Sequence, residues 1–151
     1  MDPLVIFATD HWVVSHRADA RWPGYLMVSA RTATPDLSGL DGAALSELGR
    51  VLRDTELLLR RAFAPHKVIF AKLGFSSGFA CHFHAIPATS ALLAEIAVHP
   101  GYADEPDGND VMLFVNRVYC ERPLDAQQSA QLAATIAMLR AGRVEVADVG
   151  V

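Results

Sequence analysis

The sequence predicts an α+β domain: an antiparallel sheet of about five strands, with a long helix and one or two further helices packed on one of its faces. Three observations point there. Short β-prone runs come in pairs joined by turn residues, Trp12–His16 and Tyr25–Ser29 around Pro23-Gly24, then Lys67–Leu73 and Phe79–Pro87 around Gly74–Gly78. One long stretch, Gly42–Phe63, repeats apolar residues at helical spacing. Tightly connected strands pair antiparallel, and an amphipathic helix needs a sheet face to cover. At 151 residues, 52% of them hydrophobic and 20% charged, the chain has core enough for one domain over 1–151, with 141–151 as a tail.

The elements follow in order. Leu4–Ala8 is a short strand or an extended lead-in, and Thr9-Asp10 turns the chain into Trp12–His16. Pro23-Gly24 returns it along Tyr25–Ser29, and Thr32–Gly39 is a loop. The Gly42–Phe63 helix has Asp41 as its N-cap, and Arg60 and Arg61 in its last turn suit the helix dipole. Ala44, Leu45, Leu48, Val51, Leu52, Thr55, Leu58, Leu59, Ala62 and Phe63 form its apolar stripe. Pro65 ends it. In Lys67–Leu73, Val68 and Phe70 face one side and Ile69, Ala71 and Leu73 the other. Thr89–Val98 is a short helix, and a turn-rich loop runs from His99 to Gly108. Val111–Val118 alternates and is β-prone, which predicts another strand. Asp125 with Gln128 is a capping-box variant that opens a final helix over Ala126–Arg140.

Charge and composition exclude several function classes. A net charge of −4 does not suit a surface that coats a polyanion, so neither a nucleic-acid polymer nor an acidic membrane is an expected partner. Cys81 and Cys120 are too few and too far apart for a disulfide framework. Met1-Asp2-Pro3 lacks the basic start of a secretory signal, and no apolar run approaches the ~20 residues of a membrane helix. A cytoplasmic protein with reduced thiols is the expectation.

The chemistry gathers on Phe79–Pro87. On a strand, Ala80, His82, His84 and Ile86 share one face, and Phe79, Cys81, Phe83 and Ala85 share the other. Pro87 should end that strand. Two imidazoles side by side have three readings. Zinc would need a third or fourth ligand from His11, His16 or His99; no spacing demands one, and Cys81 faces away. A structural pair is the plain alternative. The third reading is nucleophilic catalysis, because neutral imidazole attacks phosphorus well near pH 7 and a neighbouring imidazole can assist the leaving oxygen. The Gly74–Gly78 loop, with hydroxyls at Ser76 and Ser77, is either an ordinary hairpin turn or a place where backbone and hydroxyl groups meet a phosphate.

These residues resemble the histidine-triad (HIT) superfamily, whose hallmark is His-φ-His-φ-His-φ-φ, usually followed by Pro. Here the three positions hold Ala80, His82 and His84, followed by Ala85-Ile86-Pro87. Trp22–Val28 is similar to the family's Pro-Gly-His-φ-φ-φ strand, and the Leu40–Phe63 stretch to its long central helix. The resemblance covers roughly Trp12–Pro87. It departs at Ala80 and at Tyr25, where the family has histidines, and in the absence of an amide side chain from the loop. It implies nucleotide chemistry on a homodimer, either hydrolysis of phosphoanhydrides or phosphoramidates or nucleotidyl transfer. By position His82 is the nucleophile and His84 the phosphate or leaving-group contact. Ser76, Ser77 and Gly78 then belong to the phosphate side, and His16 and Asp19 to the ribose or base.

The expectation is therefore a hydrolase or transferase that forms a covalent nucleotidyl-His82 and requires no cofactor and no metal. Ala80 and Tyr25 motivate an alternative, a weak or inactive nucleotide-binding or regulatory protein. A metal-binding or purely structural dimer is the third reading.

Overall fold

The computed structural model describes residues 2–102 and 105–143. Five strands, β1 (Val5–Ala8), β2 (Trp12–His16), β3 (Leu26–Ala30), β4 (Lys67–Ala71) and β5 (His82–Ala88), form one sheet. Their order is β1-β2-β3-β5-β4, antiparallel throughout. Around them lie four α-helices, α1 (Gly42–Phe63), α2 (Ser90–Ala97), α3 (Gly108–Tyr119) and α4 (Ala126–Arg143), with a 3-10 turn at Leu37–Gly39. Among the described residues no helix is long and apolar enough to cross a membrane.

Strand alternation sorts the core into two layers. Val14, Leu26, Val28, Cys81 and Ala85 point to one face of the sheet, where Val51, Leu58 and Leu59 of α1 and Ile136 and Leu139 of α4 close over them. The Trp12 indole anchors α1 by donating to the Ala44 carbonyl at 2.9 Å. Tyr25, Ile86 and Ala88 point the other way, against Leu92 and Ile96 of α2 and Val111, Phe114 and Val115 of α3. Helices therefore cover both faces, not one as the sequence suggested.

The helix boundaries have local causes. Asp41 accepts from the Ala44 amide at 2.8 Å, and α1 ends on Ala64 in the left-handed conformation, just before Pro65. Thr89 caps α2. Asp125 and Gln128 bond reciprocally, side chain to backbone, at the start of α4.

The main correction concerns Val111–Val118, which is helical within α3. The Asp107 carboxylate accepts from the Asp110 amide, and Asp110 accepts from the Asp107 amide, each at 3.0 Å, so the helix carries a full capping box. Val111, Met112, Phe114 and Val115 are buried at positions i, i+1, i+3 and i+4, a helical face, whereas the unbroken apolar run Val111–Val115 is equally compatible with a short buried strand when read from sequence. The fifth strand of the sheet is β1 instead. Pro87 lies inside β5, opposite Val68 of β4 and beyond the last β3 partner pair, Leu26 with Ala85. The tail proposed for 141–151 begins as the last turn of α4, and 144–151 lie outside the described residues.

Candidate active site

β5 is flanked by β3 and β4, so its side chains have neighbours on both sides. Across the sheet His84 stands opposite Met27 of β3 and Ala71 of β4, and His82 stands opposite Ser29. Both imidazoles share the face of Ile86, with ring centroids 5.3 Å apart. They line a cleft of about 480 Å³ whose walls include Ser15, Met27, Ser29, Ser76 and Phe79.

His82 is held by its own strand lead-in. Its Nδ1 donates to the Ala80 carbonyl at 2.8 Å, since a carbonyl can only accept. When the ring is neutral that bond places the lone pair on Nε2, which has no protein partner among the described residues. The ring also lies close against the Gly74 backbone, where an added Cβ would come within 2.9 Å of its Cε1.

His84 is held from the opposite side. Its Nδ1 lies 2.7 Å from the Tyr25 hydroxyl. Tyr25 in turn receives a hydrogen bond from Arg17 Nη1 at 3.1 Å and lies 3.1 Å from Asn116 Oδ1. Arg17 also donates to Asn116 Oδ1, and Asn116 Nδ2 donates to the Met112 carbonyl at 2.7 Å, which sets the amide orientation. Burial, helped by the charges of His82 and Arg17, pushes the His84 pKa down to about 4, so this ring is neutral at pH 7. Burial also raises the Tyr25 phenol, against the pull of Arg17.

The other expected site residues are dispersed. Ser76 lines the cleft, whereas Ser77 lines an adjoining hollow of about 250 Å³ with Asp36 and Lys72. Gly78 lies outside both and supplies a positive φ of 93° to the exposed loop. His16 borders the cleft, but both its ring nitrogens are engaged within the protein: Nδ1 donates to the Arg17 carbonyl at 2.9 Å and Nε2 accepts from the Gly24 amide at 3.1 Å. Burial holds its pKa down. It is a lock on the β2–β3 turn, with no free nitrogen for a ribose or base. Gly24 is required there, with φ at 80° and an added Cβ only 2.4 Å from Phe63. Asp19 is also displaced from its expected role: it pairs with Arg17 at 2.6 Å, accepts from the Glu121 amide at 3.1 Å, and lies outside the cleft. Among the described residues no three His, Cys, Asp or Glu side chains form a group able to hold a metal ion.

Sequence reasoning missed Arg17 and Asn116 and saw Tyr25 only as a departure from a family pattern. Arg17 sits opposite Tyr25 because the β2–β3 pairing continues one bond past the strands, from the Arg17 amide to the Tyr25 carbonyl at 2.9 Å. Asn116 arrives from 91 residues away on α3 and carries no local signal.

No family model matches the chain, and no curated protein matches it. Solved structures do. A HIT-like protein involved in cell-cycle regulation from Bartonella henselae superposes with a TM-score of 0.61 at 12% identity, covering 92% of this chain and 85% of the other. A hypothetical histidine triad nucleotide-binding protein from Sulfolobus tokodaii gives 0.61 at 14%, covering 94% and 84%. A uridylyltransferase mutant gives 0.58 at 14%, covering 96% of this chain and 44% of that larger one. The chain has the fold of the histidine-triad proteins, with Ala80, His82 and His84 at the alternating positions of its β5 lead-in and strand.

Proposed function

We propose that the protein is a nucleotide-binding hydrolase or nucleotidyl transferase acting through His82. The observation that carries this reading is the Ala80 carbonyl bond, which leaves the Nε2 lone pair of His82 free beside a second imidazole in an open cleft. The names of two superposable proteins, a histidine triad nucleotide-binding protein and a uridylyltransferase, supply the substrate class. In this scheme Nε2 attacks the α-phosphorus of a phosphoanhydride or phosphoramidate. A nitrogen–phosphorus bond forms, and the leaving oxygen or nitrogen departs with its bonding pair, assisted by His84. Water, or an acceptor hydroxyl in transfer, then attacks phosphorus. The electron pair returns to Nε2, and the attacking group's proton passes to solvent. Ser76 and nearby amides would bear the phosphoryl charge, where most catalysis of such transfer lies. No step is assigned to a metal or cofactor, and the homodimer belongs to the same reading.

The test is incubation with dinucleoside polyphosphates and nucleoside phosphoramidates, followed by a search for acid-labile nucleotide on the protein. Labelling and turnover that disappear in His82→Ala support the scheme; turnover that survives the substitution overturns it. A second reading, a nucleotide-binding module without turnover, is favoured by the methyl group that Ala80 places where an orienting imidazole would stand. Tight binding with no labelled intermediate would select it.

A further inference from the structure

Three neighbours surround the Tyr25 hydroxyl, and it has one proton to give. Arg17 Nη1, at 3.1 Å, can only donate, so it takes a lone pair of the phenol oxygen. The proton then goes either to Asn116 Oδ1 or to His84 Nδ1. Asn116 Oδ1, at 3.1 Å, is long for an O–H···O bond and already accepts from Arg17. His84 Nδ1 is at 2.7 Å, within the range of a hydroxyl donor and shorter than the usual N–H···O bond. A guanidinium against the phenol oxygen also makes it a poorer acceptor and a better donor. Both distance and charge send the proton to His84.

A neutral imidazole that accepts on Nδ1 carries its hydrogen on Nε2. His84 Nε2 has no protein partner among the described residues, and its ring lines the cleft. The two histidines thus hold opposite tautomers, each fixed by the partner of its Nδ1: the Ala80 carbonyl for His82, the Tyr25 hydroxyl for His84. We infer that Tyr25 is a positioning residue that sets His84 as an Nε2–H donor, so that the cleft presents a nucleophilic lone pair next to a hydrogen-bond donor. The inference rests on the proposed role of His82. It supplies what that role lacks: a defined way for a neutral His84 to hold a phosphoryl oxygen or leaving atom.

The test reads the tautomers directly. Long-range proton–nitrogen NMR on the full chain, with nitrogen-labelled histidine at neutral pH, distinguishes protonated from bare ring nitrogens. His82→Gln and His84→Gln assign the signals by their loss. The expected result is Nδ1–H for His82 and Nε2–H for His84, with Tyr25→Phe turning His84 into a mixture while His82 keeps its form. His84 found as Nδ1–H in the unaltered protein, or unchanged in Tyr25→Phe, overturns the inference. Should Tyr25→Phe not fold, Asn116→Asp places a stronger acceptor on the far side of the phenol and is expected to draw its proton away, converting His84 to Nδ1–H; an unchanged spectrum there overturns it equally. Turnover is not read in these spectra. Absence of nucleotide chemistry therefore leaves the tautomer result standing, and a wrong tautomer leaves His82 labelling standing.

Discussion

The carbonyl oxygen of Ala80 lies 2.8 Å from Nδ1 of His82, two residues further on. The residue that lacks a side chain for orienting the ring orients it with its backbone. The missing first histidine of the motif is therefore a smaller loss than the sequence suggests. A misplacement of about 1 Å can cost ~10²-fold in rate, and here the ring is already placed. Ala80→His is expected to change His82-dependent turnover by well under ~10²-fold. Steady-state rates of the variant and the parent decide it, and a large gain would show that the carbonyl alone does not hold the ring.

Gly74 constrains the same ring from the loop side. Its φ is not in the left-handed region, so alanine fits its backbone conformation, but the added Cβ would come 2.9 Å from Cε1 of His82. The ring has to turn, which strains its bond to Ala80 and redirects Nε2. Gly74 is exposed, so little packing is disturbed. Gly74→Ala is expected to leave the melting temperature within a degree or two (roughly ±0.5 kcal/mol) and to lower turnover by about 10²-fold. Equal rates in the two proteins would mean that the ring yields without moving its reacting nitrogen.

What the sequence disclosed and what it hid divide along physical lines. Local signals were legible. Asp41 with the α1 stripe, Pro23-Gly24 between β2 and β3, and the alternation that puts His82 and His84 on one face all depend on residues within a turn or two of each other. The Tyr25–Arg17–Asn116 network was not, because its parts join residues 8 and 91 positions apart through the packing of α3 on the sheet. The expected contacts of His16 and Asp19 failed for a related reason: a polar residue near a cleft satisfies its nearest partner first, here a turn amide for His16 and the Arg17 guanidinium for Asp19.

The misread α3 offers a test of its own. Its N-terminus is closed by the Asp107–Asp110 capping box. Asp107→Ala removes the acceptor for the Asp110 amide and is expected to cost ~1 kcal/mol, the usual size of a lost N-cap. Because Asn116 rides on this helix, loosening it should also weaken the Tyr25 side of the site. Urea denaturation measures the first effect. Indistinguishable stability in the variant would argue that packing of Phe114 and Val115 alone fixes the helix.

Acid stability follows from the surroundings of His84. Burial first, then the charges of His82 and Arg17, bring its folded-state pKa from 6.5 down to about 4, with the Tyr25 phenol as its hydrogen-bond partner. Above pH 6.5 the ring is neutral in folded and unfolded chains alike, and its contribution to stability is constant. Between 6.5 and about 4 the unfolded chain binds a proton that the folded chain refuses, so stability falls as pH falls through that window. Buried His16, also shifted down, acts in the same direction. Discounted for a cleft open to water, the His84 share is on the order of 1–3 kcal/mol. Chemical denaturation at several pH values between 4 and 7 is expected to give a shallower slope for His84→Gln than for the parent, because glutamine has no proton to take up. Parallel slopes would mean that the ring takes up its proton as readily in the folded protein as in the unfolded chain, and would overturn the downward shift that burial is expected to cause.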